Sequence, residues 1–288
     1  MATVALVNPQ LVSSGWQRGS SPQTMDDALP RHSLLFLSGP LRRAGHEVVL
    51  ADLRLLSGWA EYEHLLVREL PDFVCVTAHT AEAEAALECC RRAKQVLPGC
   101  TTVAGGIHFT MFPDLGEREG TVDHVIRGEG ELTLPKLLAD PVAFPRIVWG
   151  EPPELDDLPF EDRELYPDYA DRLGFSIWDL PTPLVDMITG RGCPWRCRFC
   201  CGPGEQNLFT KPSAEKTDAR LPFVRRRSVA NVITEMEELY DRHEFRSVVF
   251  HDDQFVIQPG WVEEFCTSLH RSGFVDRGTR WWAASRAD

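Results

Sequence analysis

Short apolar runs alternate with helical patterns through the first 140 residues, and this order limits the fold more than any other feature of the sequence. Five runs have the length of buried strands, at 3–8, 47–52, 72–77, 101–106 and 123–128. The strongest helical pattern covers 81–97 and ends at Pro98 and Gly99. A chain that alternates strands and helices in this way forms a parallel sheet with helices on both faces. The sequence therefore predicts an α/β fold for this half.

A proline-rich stretch separates this half from a second one. Eight prolines between 141 and 183 exclude long helices there, so 141–182 is predicted to be a partly ordered connection between domains. Strand and helix patterns then resume, with strands predicted at 184–192, 247–253 and 279–288. Three strand–helix units make an open arc rather than a closed barrel. Because no helix follows the last strand to cover it, we expect the chain to be a fragment of a longer protein.

Charge and hydropathy disfavour two classes of partner. The chain has 30 basic and 43 acidic residues, a net charge of −13, which disfavours broad binding to nucleic acid. No apolar run approaches the roughly 18 residues that span a bilayer. The first ten residues lack the basic segment of a signal peptide. We therefore expect a cytoplasmic protein with no nucleic acid or membrane partner.

Four of the nine cysteines lie within the nine residues 193–201, in the segment RGCPWRCRFCCGPG. Cys193, Cys197 and Cys200 have the spacing C-x3-C-x2-C, and thiolates suit zinc or iron–sulfur clusters. Structural zinc commonly takes four protein ligands from two C-x2-C halves, but the sequence has no second half, and Cys201 is next to Cys200. Three ligands on a four-iron cube would leave one iron open. The spacing favours an iron–sulfur site, with zinc and unligated thiols as alternatives.

The cysteine loop resembles the radical SAM signature, since Phe199 precedes the last cysteine and a predicted strand leads into the loop. The resemblance implies a [4Fe–4S] cluster on Cys193, Cys197 and Cys200. It also implies that S-adenosylmethionine chelates the fourth iron and that its reductive cleavage yields a 5′-deoxyadenosyl radical.

The segments HDDQF and WWAASRAD are similar to the second and third strands of the radical SAM barrel in its cobalamin-dependent branch. Barrel sites form at the carboxyl ends of strands. The resemblance therefore implies S-adenosylmethionine contacts from Phe199, Asp252, Asp253 and Arg286. A helix cap and loop solvation are the alternative roles for the two aspartates.

A series of short motifs in the first half resembles the cobalamin-binding domain that precedes the radical SAM core in that branch. Asn8 ends the first predicted strand, Gly105-Gly106-x-His108 begins at the end of the fourth, and Gly128-Glu129-Gly130-Glu131 begins at the end of the fifth. The resemblance implies a Rossmann-like, doubly wound sheet of the B12-binding type. It implies cobalamin contacts from Asn8, Gly105, Gly106, His108, Gly128, Glu129, Gly130 and Glu131.

The sequence departs from classical cobalamin domains at one point, because it contains no D-x-H-x-x-G string. The resemblance therefore implies cobalamin without a histidine ligand from that motif. We expect His108 to be a loop residue near the corrin or a packing contact rather than a ligand to cobalt.

Together, the two resemblances imply a cobalamin-binding domain at 1–140, a linker at 141–182 and the N-terminal part of a partial TIM barrel at 183–288. The implied function is that of a cobalamin-dependent radical SAM enzyme. The implied reaction is methylation of an unactivated carbon through a 5′-deoxyadenosyl radical and methylcobalamin. Its partners would be a small-molecule substrate and an electron donor such as a flavodoxin or ferredoxin. The alternatives are a cyclase or rearrangement enzyme with the same cofactors, a non-catalytic zinc or iron–sulfur module, and an inactive fragment.

Overall fold

A computed structural model describes the chain over residues 1–10, 29–174, 179–202, 208 and 224–286. The first sheet consists of β1 (Thr3–Asn8), β2 (Glu47–Asp52), β3 (Phe73–Thr77), β4 (Thr101–Gly105), β5 (His124–Arg127) and β6 (Ile147–Trp149). All of its strand pairs are parallel, in the order β2-β1-β3-β4-β5-β6. The order reverses between β1 and β3, and ligands of open α/β sheets bind at such a reversal, beyond the carboxyl ends of the strands.

The described residues of this unit form the helices α1 (His32–Arg43), α2 (Trp59–Glu69), α3 (Ala83–Val96), α4 (Ile107–Met111), α5 (Pro113–Arg118) and α6 (Thr133–Ala139). Alternate residues of β1 belong to two different cores, Val4 and Leu6 to one and Ala5 and Val7 to the other. Helices α1 and α6 cover the first core, and α2 and α3 cover the second. The predicted doubly wound α/β sheet is confirmed.

The first sheet extends further along the chain than the predicted boundary at residue 140. Strand β6 pairs with β5 from within the predicted linker. Its three residues, Ile147 to Trp149, are β-branched or aromatic and suit a short edge strand, where neighbouring prolines are tolerated. The prolines of this stretch therefore exclude long helices but not a strand.

The rest of the connection is ordered where it is described. It contains short 3₁₀ turns and one helix, α7 (Tyr169–Arg172). Leu165, Tyr166 and Tyr169 are buried in the same core as α1 and α6. The connection thus packs against both halves of the chain.

The second half contains β7 (Leu184–Met187), β8 (Gly190–Arg191), β9 (Arg225–Arg226), α8 (Val229–His243), β10 (Ser247–Phe250), α9 (Pro259–Arg271) and β11 (Arg280–Ala283). Strands β7, β10 and β11 form a parallel sheet in chain order, and β8 pairs antiparallel with β9. Parallel strands that neighbour one another in chain order, with a helix between them, are the start of a β/α barrel. Among the helices of the described residues, none combines the length and the apolar character needed to span a membrane.

Candidate functional site

A cavity of about 270 Å³ lies beyond the carboxyl ends of β3, β4 and β5, where open α/β sheets bind ligands. Its apolar wall includes Leu34 and Leu37 from α1, Val103 and Ile126. All the residues predicted to contact cobalamin line it except Asn8 and His108; they are Gly105, Gly106, Gly128, Glu129, Gly130 and Glu131. The structure therefore brings together two glycine motifs that are separate in the sequence.

Glycine is required at Gly106 for steric reasons. Its φ is +87°, and a Cβ atom there would lie 2.6 Å from Thr77 Oγ1 and 2.8 Å from the backbone nitrogen of Ala78. Gly128 also has a positive φ, of +88°. Both positions let the main chain turn closely around the cavity in a conformation that other residues seldom adopt.

Substituting Gly106 by alanine is expected to lower the free energy of unfolding by about 1–3 kcal/mol, because strain and collision act together. We also expect weaker cobalamin binding, since the cavity wall must shift. Gly99→Ala is the matched control, because that glycine has open space around its Cβ position. Urea unfolding and cobalamin titration followed by absorbance measure the two effects. Equal behaviour of the two variants would contradict the role of Gly106.

The two predicted cobalamin residues outside the cavity wall are bound by other protein groups. Asn8 is buried at the end of β1, where Nδ2 donates to Asp52 Oδ1 at 3.1 Å and Oδ1 accepts from Arg31 Nε at 3.0 Å. His108 is buried within α4, with its ring against Phe109 and Phe112. His108 is therefore a packing contact in a helix rather than a loop residue. Contacts of either residue with cobalamin remain predictions.

Acidic residues of the cavity bind arginines of the second half. Arg191 donates to Glu129 Oε2 and to Glu131 Oε1, each at 2.7 Å, and Arg225 also donates to Glu129. The Arg191 guanidinium lies over the ring of Phe36 in α1. Since Arg191 is two residues before Cys193, these ion pairs connect the cavity to the start of the cysteine loop.

The cysteine loop is accessible to solvent. Cys193 and Cys197 are half-buried, and Cys200 is exposed. The backbone nitrogen of Gly202 donates to Cys200 Sγ at 3.3 Å. Phe199 is 94% exposed, and its contact with S-adenosylmethionine remains a prediction.

The structure places Arg286 and Asp253, two residues predicted to bind S-adenosylmethionine, beside this loop. Arg286 Nη1 lies 3.9 Å from Cys197 Sγ, and its guanidinium lies 4.2 Å from the centre of the Trp195 ring. Burial raises the pKa of Cys193, and the Asp253 carboxylate raises it further. A cation and an anion thus flank the three thiols.

Asp252, in contrast, points into the protein. Its carboxylate accepts from the backbone nitrogens of Thr189 at 2.6 Å and Gly190 at 3.2 Å, and from Arg226 Nη1 at 3.0 Å. These donors fix the turn between β7 and the cysteine loop. Asp252 therefore stabilises the start of the cysteine loop through buried hydrogen bonds. A contact of Asp252 with S-adenosylmethionine remains a prediction.

The substitution Asp252→Asn is expected to lower the free energy of unfolding by about 1–3 kcal/mol, because an amide nitrogen would face a buried donor. Asp253→Asn is the control on the adjacent, exposed residue and should change the free energy by less than about 0.5 kcal/mol. Urea unfolding of both variants measures the difference. Two small and equal effects would show that Asp252 does not hold the turn.

Comparison with known proteins identifies the first half. The B12 binding domain family matches residues 28–138, which include the cavity-lining glycine motifs. A hopanoid C-3 methylase from Methylococcus capsulatus is 35% identical over 178 residues, covering 56% of this chain and 33% of the relative. An anaerobic magnesium-protoporphyrin IX monomethyl ester cyclase from Synechocystis is 26% identical over 275 residues, covering 84% of this chain and 49% of the relative. The chain thus spans half or less of these relatives.

A solved structure relates both halves to one fold. The cobalamin-dependent S-adenosylmethionine radical enzyme OxsB, with aqua-cobalamin and S-adenosylmethionine bound, superposes with a TM-score of 0.66. The superposition covers 94% of this chain and 37% of OxsB, at 17% sequence identity. Residues 28–138 are a domain of the B12-binding family. The predicted resemblance to cobalamin-dependent radical SAM enzymes is therefore confirmed by the matched domain, the relatives and the shared fold.

Among the described residues, a further group of polar side chains lies together although no sequence motif indicates it. His32 from the start of α1 lies with Nε2 3.0 Å from Asp186 Oδ2 in β7, and His251 after β10 lies with Nε2 3.6 Å from the same oxygen. Glu161 accepts from His32 Nδ1 at 2.9 Å. Burial disfavours the imidazolium of His32, but the charges of Glu161 and Asp186 outweigh it and raise the pKa of His32 to about 10. No sequence spacing joins these four residues, which come from four separate segments.

Proposed function

We propose that this chain is the cofactor-binding part of a cobalamin-dependent radical SAM methyltransferase that acts on an unactivated carbon. The observation that carries the proposal is the contact of Arg191 with Glu129 and Glu131. Through it the B12-binding cavity and the cysteine loop become neighbours. Two cofactors that act on one substrate require adjacent sites of this kind.

Cys193, Cys197 and Cys200 would hold a [4Fe–4S] cluster. Three thiols on one accessible loop suit it, because thiolates are the usual ligands of such clusters. Around one zinc ion, sulfurs at about 2.3 Å from the metal would lie within about 4 Å of one another. Among the residues that the structure describes, these three sulfurs are not gathered within 4.8 Å. A cluster is favoured over zinc because the sequence contains no second C-x2-C half to complete a structural zinc site.

Cobalamin would be held at the cavity beyond β3, β4 and β5. The wall of the cavity is mostly apolar, and the main chain of several glycines forms part of it. Such a wall suits a large organic cofactor. Cobalamin is larger than the cavity, so only part of it would enter. S-adenosylmethionine would lie at the cysteine loop, within reach of Asp253 and Arg286.

When bound, the cluster with S-adenosylmethionine supplies a carbon radical, and cobalamin supplies a methyl group. The chain's own residues bind and orient these groups: the loop thiols hold the cluster, and Arg191 fixes the loop relative to the cavity. A small-molecule substrate and an electron donor such as a flavodoxin or ferredoxin complete the proposed system, which we place in the cytoplasm.

The test counts two products of S-adenosylmethionine in the reconstituted protein with cobalamin and a reductant. A methyltransferase consumes one S-adenosylmethionine as a methyl donor and one as a radical source, so S-adenosylhomocysteine and 5′-deoxyadenosine should both form. Omission of cobalamin should remove S-adenosylhomocysteine alone. Absence of both products would contradict the proposal.

A radical cyclase is the second candidate, supported by the name of the Synechocystis relative. It would form 5′-deoxyadenosine without cobalamin-dependent S-adenosylhomocysteine. The same product count therefore separates the two reactions before the substrate is known.

A further inference from the structure

Three atoms that suit metal binding converge at the junction of the two halves. His32 Nε2, Asp186 Oδ2 and His251 Nε2 lie within 4.8 Å of one another. All three atoms are buried, and their contacts with one another, at 3.0 and 3.6 Å, lack the geometry of a hydrogen bond. Buried polar atoms are ordinarily hydrogen-bonded, so three such atoms facing one point indicate a ligand between them.

The separations match a metal site. Ligands at about 2.0–2.1 Å from a tetrahedral zinc ion lie about 3.3 Å apart. The Asp186 oxygen is 3.0 Å from the His32 nitrogen and 3.6 Å from the His251 nitrogen, which brackets that value. Two imidazoles and one carboxylate suit Zn²⁺ and related divalent ions rather than Mg²⁺ or Ca²⁺, which prefer oxygen ligands. We propose that His32, Asp186 and His251 bind one divalent transition-metal ion.

Glu161 contacts the ring nitrogen of His32 that would not bind the ion. Each of its oxygens lies 2.9 Å from His32 Nδ1, and its side chain is 1% exposed. Arg163 holds the same carboxylate at 3.2 Å. Histidines that bind metals commonly donate their second ring N–H to a carboxylate, which orients the ring and raises its basicity. With Nδ1 donating to Glu161, an ion that displaces the second ring proton of His32 would be bound by Nε2, on the side that faces Asp186.

The site would connect the B12-binding unit to the barrel. His32 begins α1, whereas Asp186 and His251 lie at adjacent barrel strands. The three ligands leave a fourth position for water or another group. None of them lines the cobalamin cavity or belongs to the cysteine loop, so this inference does not rest on the proposed function.

The experiment is a Co²⁺ titration of the full chain in which the four loop cysteines are replaced by serine, because their thiolates would compete. We expect one Co²⁺ per chain, with visible absorption bands of a nitrogen and oxygen site and no sulfur-to-cobalt charge-transfer band. Zn²⁺ should displace the Co²⁺ and raise the melting temperature. If His32 carries a proton and no ion binds beside it, the titration will show no stoichiometric uptake of Co²⁺. That result would overturn the proposal.

Single substitutions in the same background locate the site. His251→Gln and Asp186→Asn should each weaken Co²⁺ binding by at least about 100-fold. Glu161→Gln should weaken it by about 10–100-fold, because Glu161 orients a ligand and does not bind the ion itself. His270→Gln, on the exposed face of α9, is the matched control and should change nothing. Circular dichroism checks folding. If Asp186→Asn does not fold, His251→Gln decides alone, because its side chain is 22% exposed and tolerates change. Unchanged binding in His251→Gln would place the ion elsewhere and overturn the assignment.

Discussion

Replacement of Cys197 by alanine is expected to abolish loading of the iron–sulfur cluster. The reconstituted protein should contain about four irons per chain, and the variant should fall to the background of a protein that lacks the three cysteines. Two thiolates cannot hold the cube against exchange with solvent, because the loop is accessible. Anaerobic reconstitution followed by iron and sulfide analysis gives the measurement.

Cys201→Ala is the matched control. Cys201 is an exposed thiol on the same loop, adjacent to Cys200, and it lies outside the proposed ligand set. The variant should therefore retain its iron. Full iron in Cys197→Ala, or loss of iron in Cys201→Ala, would require a different set of ligands.

The substitution Arg163→Met is expected to produce the largest loss of stability, about 3–5 kcal/mol, because it leaves buried partners of a charge unpaired. The Arg163 side chain is 7% exposed and lies in the connection between the two halves. It donates to Glu235 Oε1 at 2.6 Å and to the backbone oxygen of Asp186 at 2.7 Å. Methionine keeps much of the volume but none of these bonds. Urea unfolding followed by tryptophan fluorescence measures the effect.

Arg242→Met provides the control for this prediction. Its side chain is 62% exposed, and its guanidinium lies 3.9 Å from Glu164. Exposed ion pairs contribute little, so the change should stay below about 0.5 kcal/mol. Similar losses in both variants would show that the buried network does not hold the connection in place.

The effect of Arg163→Met also depends on pH. Burial by itself would raise the pKa of Glu235, but the charges of Arg163 and Arg227 outweigh it and lower that pKa. A carboxyl group with a lowered pKa stabilises the fold above its ordinary pKa and loses that contribution as the pH falls. The difference in the free energy of unfolding between the wild type and Arg163→Met should therefore be largest at neutral pH. It should become smaller below about pH 4.

The local pattern of apolar residues is sufficient to predict most strands of the first sheet. Apolar runs of strand length gave β1 to β5, because both faces of each strand are buried between helix layers. Strand β6 was missed because three residues between prolines carry almost no periodic signal. Helix α2 was also not predicted, although Trp59, Tyr62 and Leu66 repeat at helical spacing and are buried.

The candidate site was less predictable, because its contacts join distant segments. Glycine motifs marked the cavity, since a backbone conformation limits the residue type at one position. The ion pair of Arg191 with Glu129 spans 62 residues, and no spacing encodes it. Asp252 follows a strand end as a cofactor ligand would, yet its carboxylate faces backbone donors. Position at a strand end therefore identified the region but not the direction of the side chain.

Electron paramagnetic resonance of the reduced, reconstituted protein, recorded with and without S-adenosylmethionine, determines whether the cysteine loop holds an open [4Fe–4S] cluster. We expect a [4Fe–4S]⁺ signal that S-adenosylmethionine shifts, because three cysteines leave one iron open for the ligand. A signal that S-adenosylmethionine leaves unchanged, or a protein that takes up zinc and no iron, would contradict it.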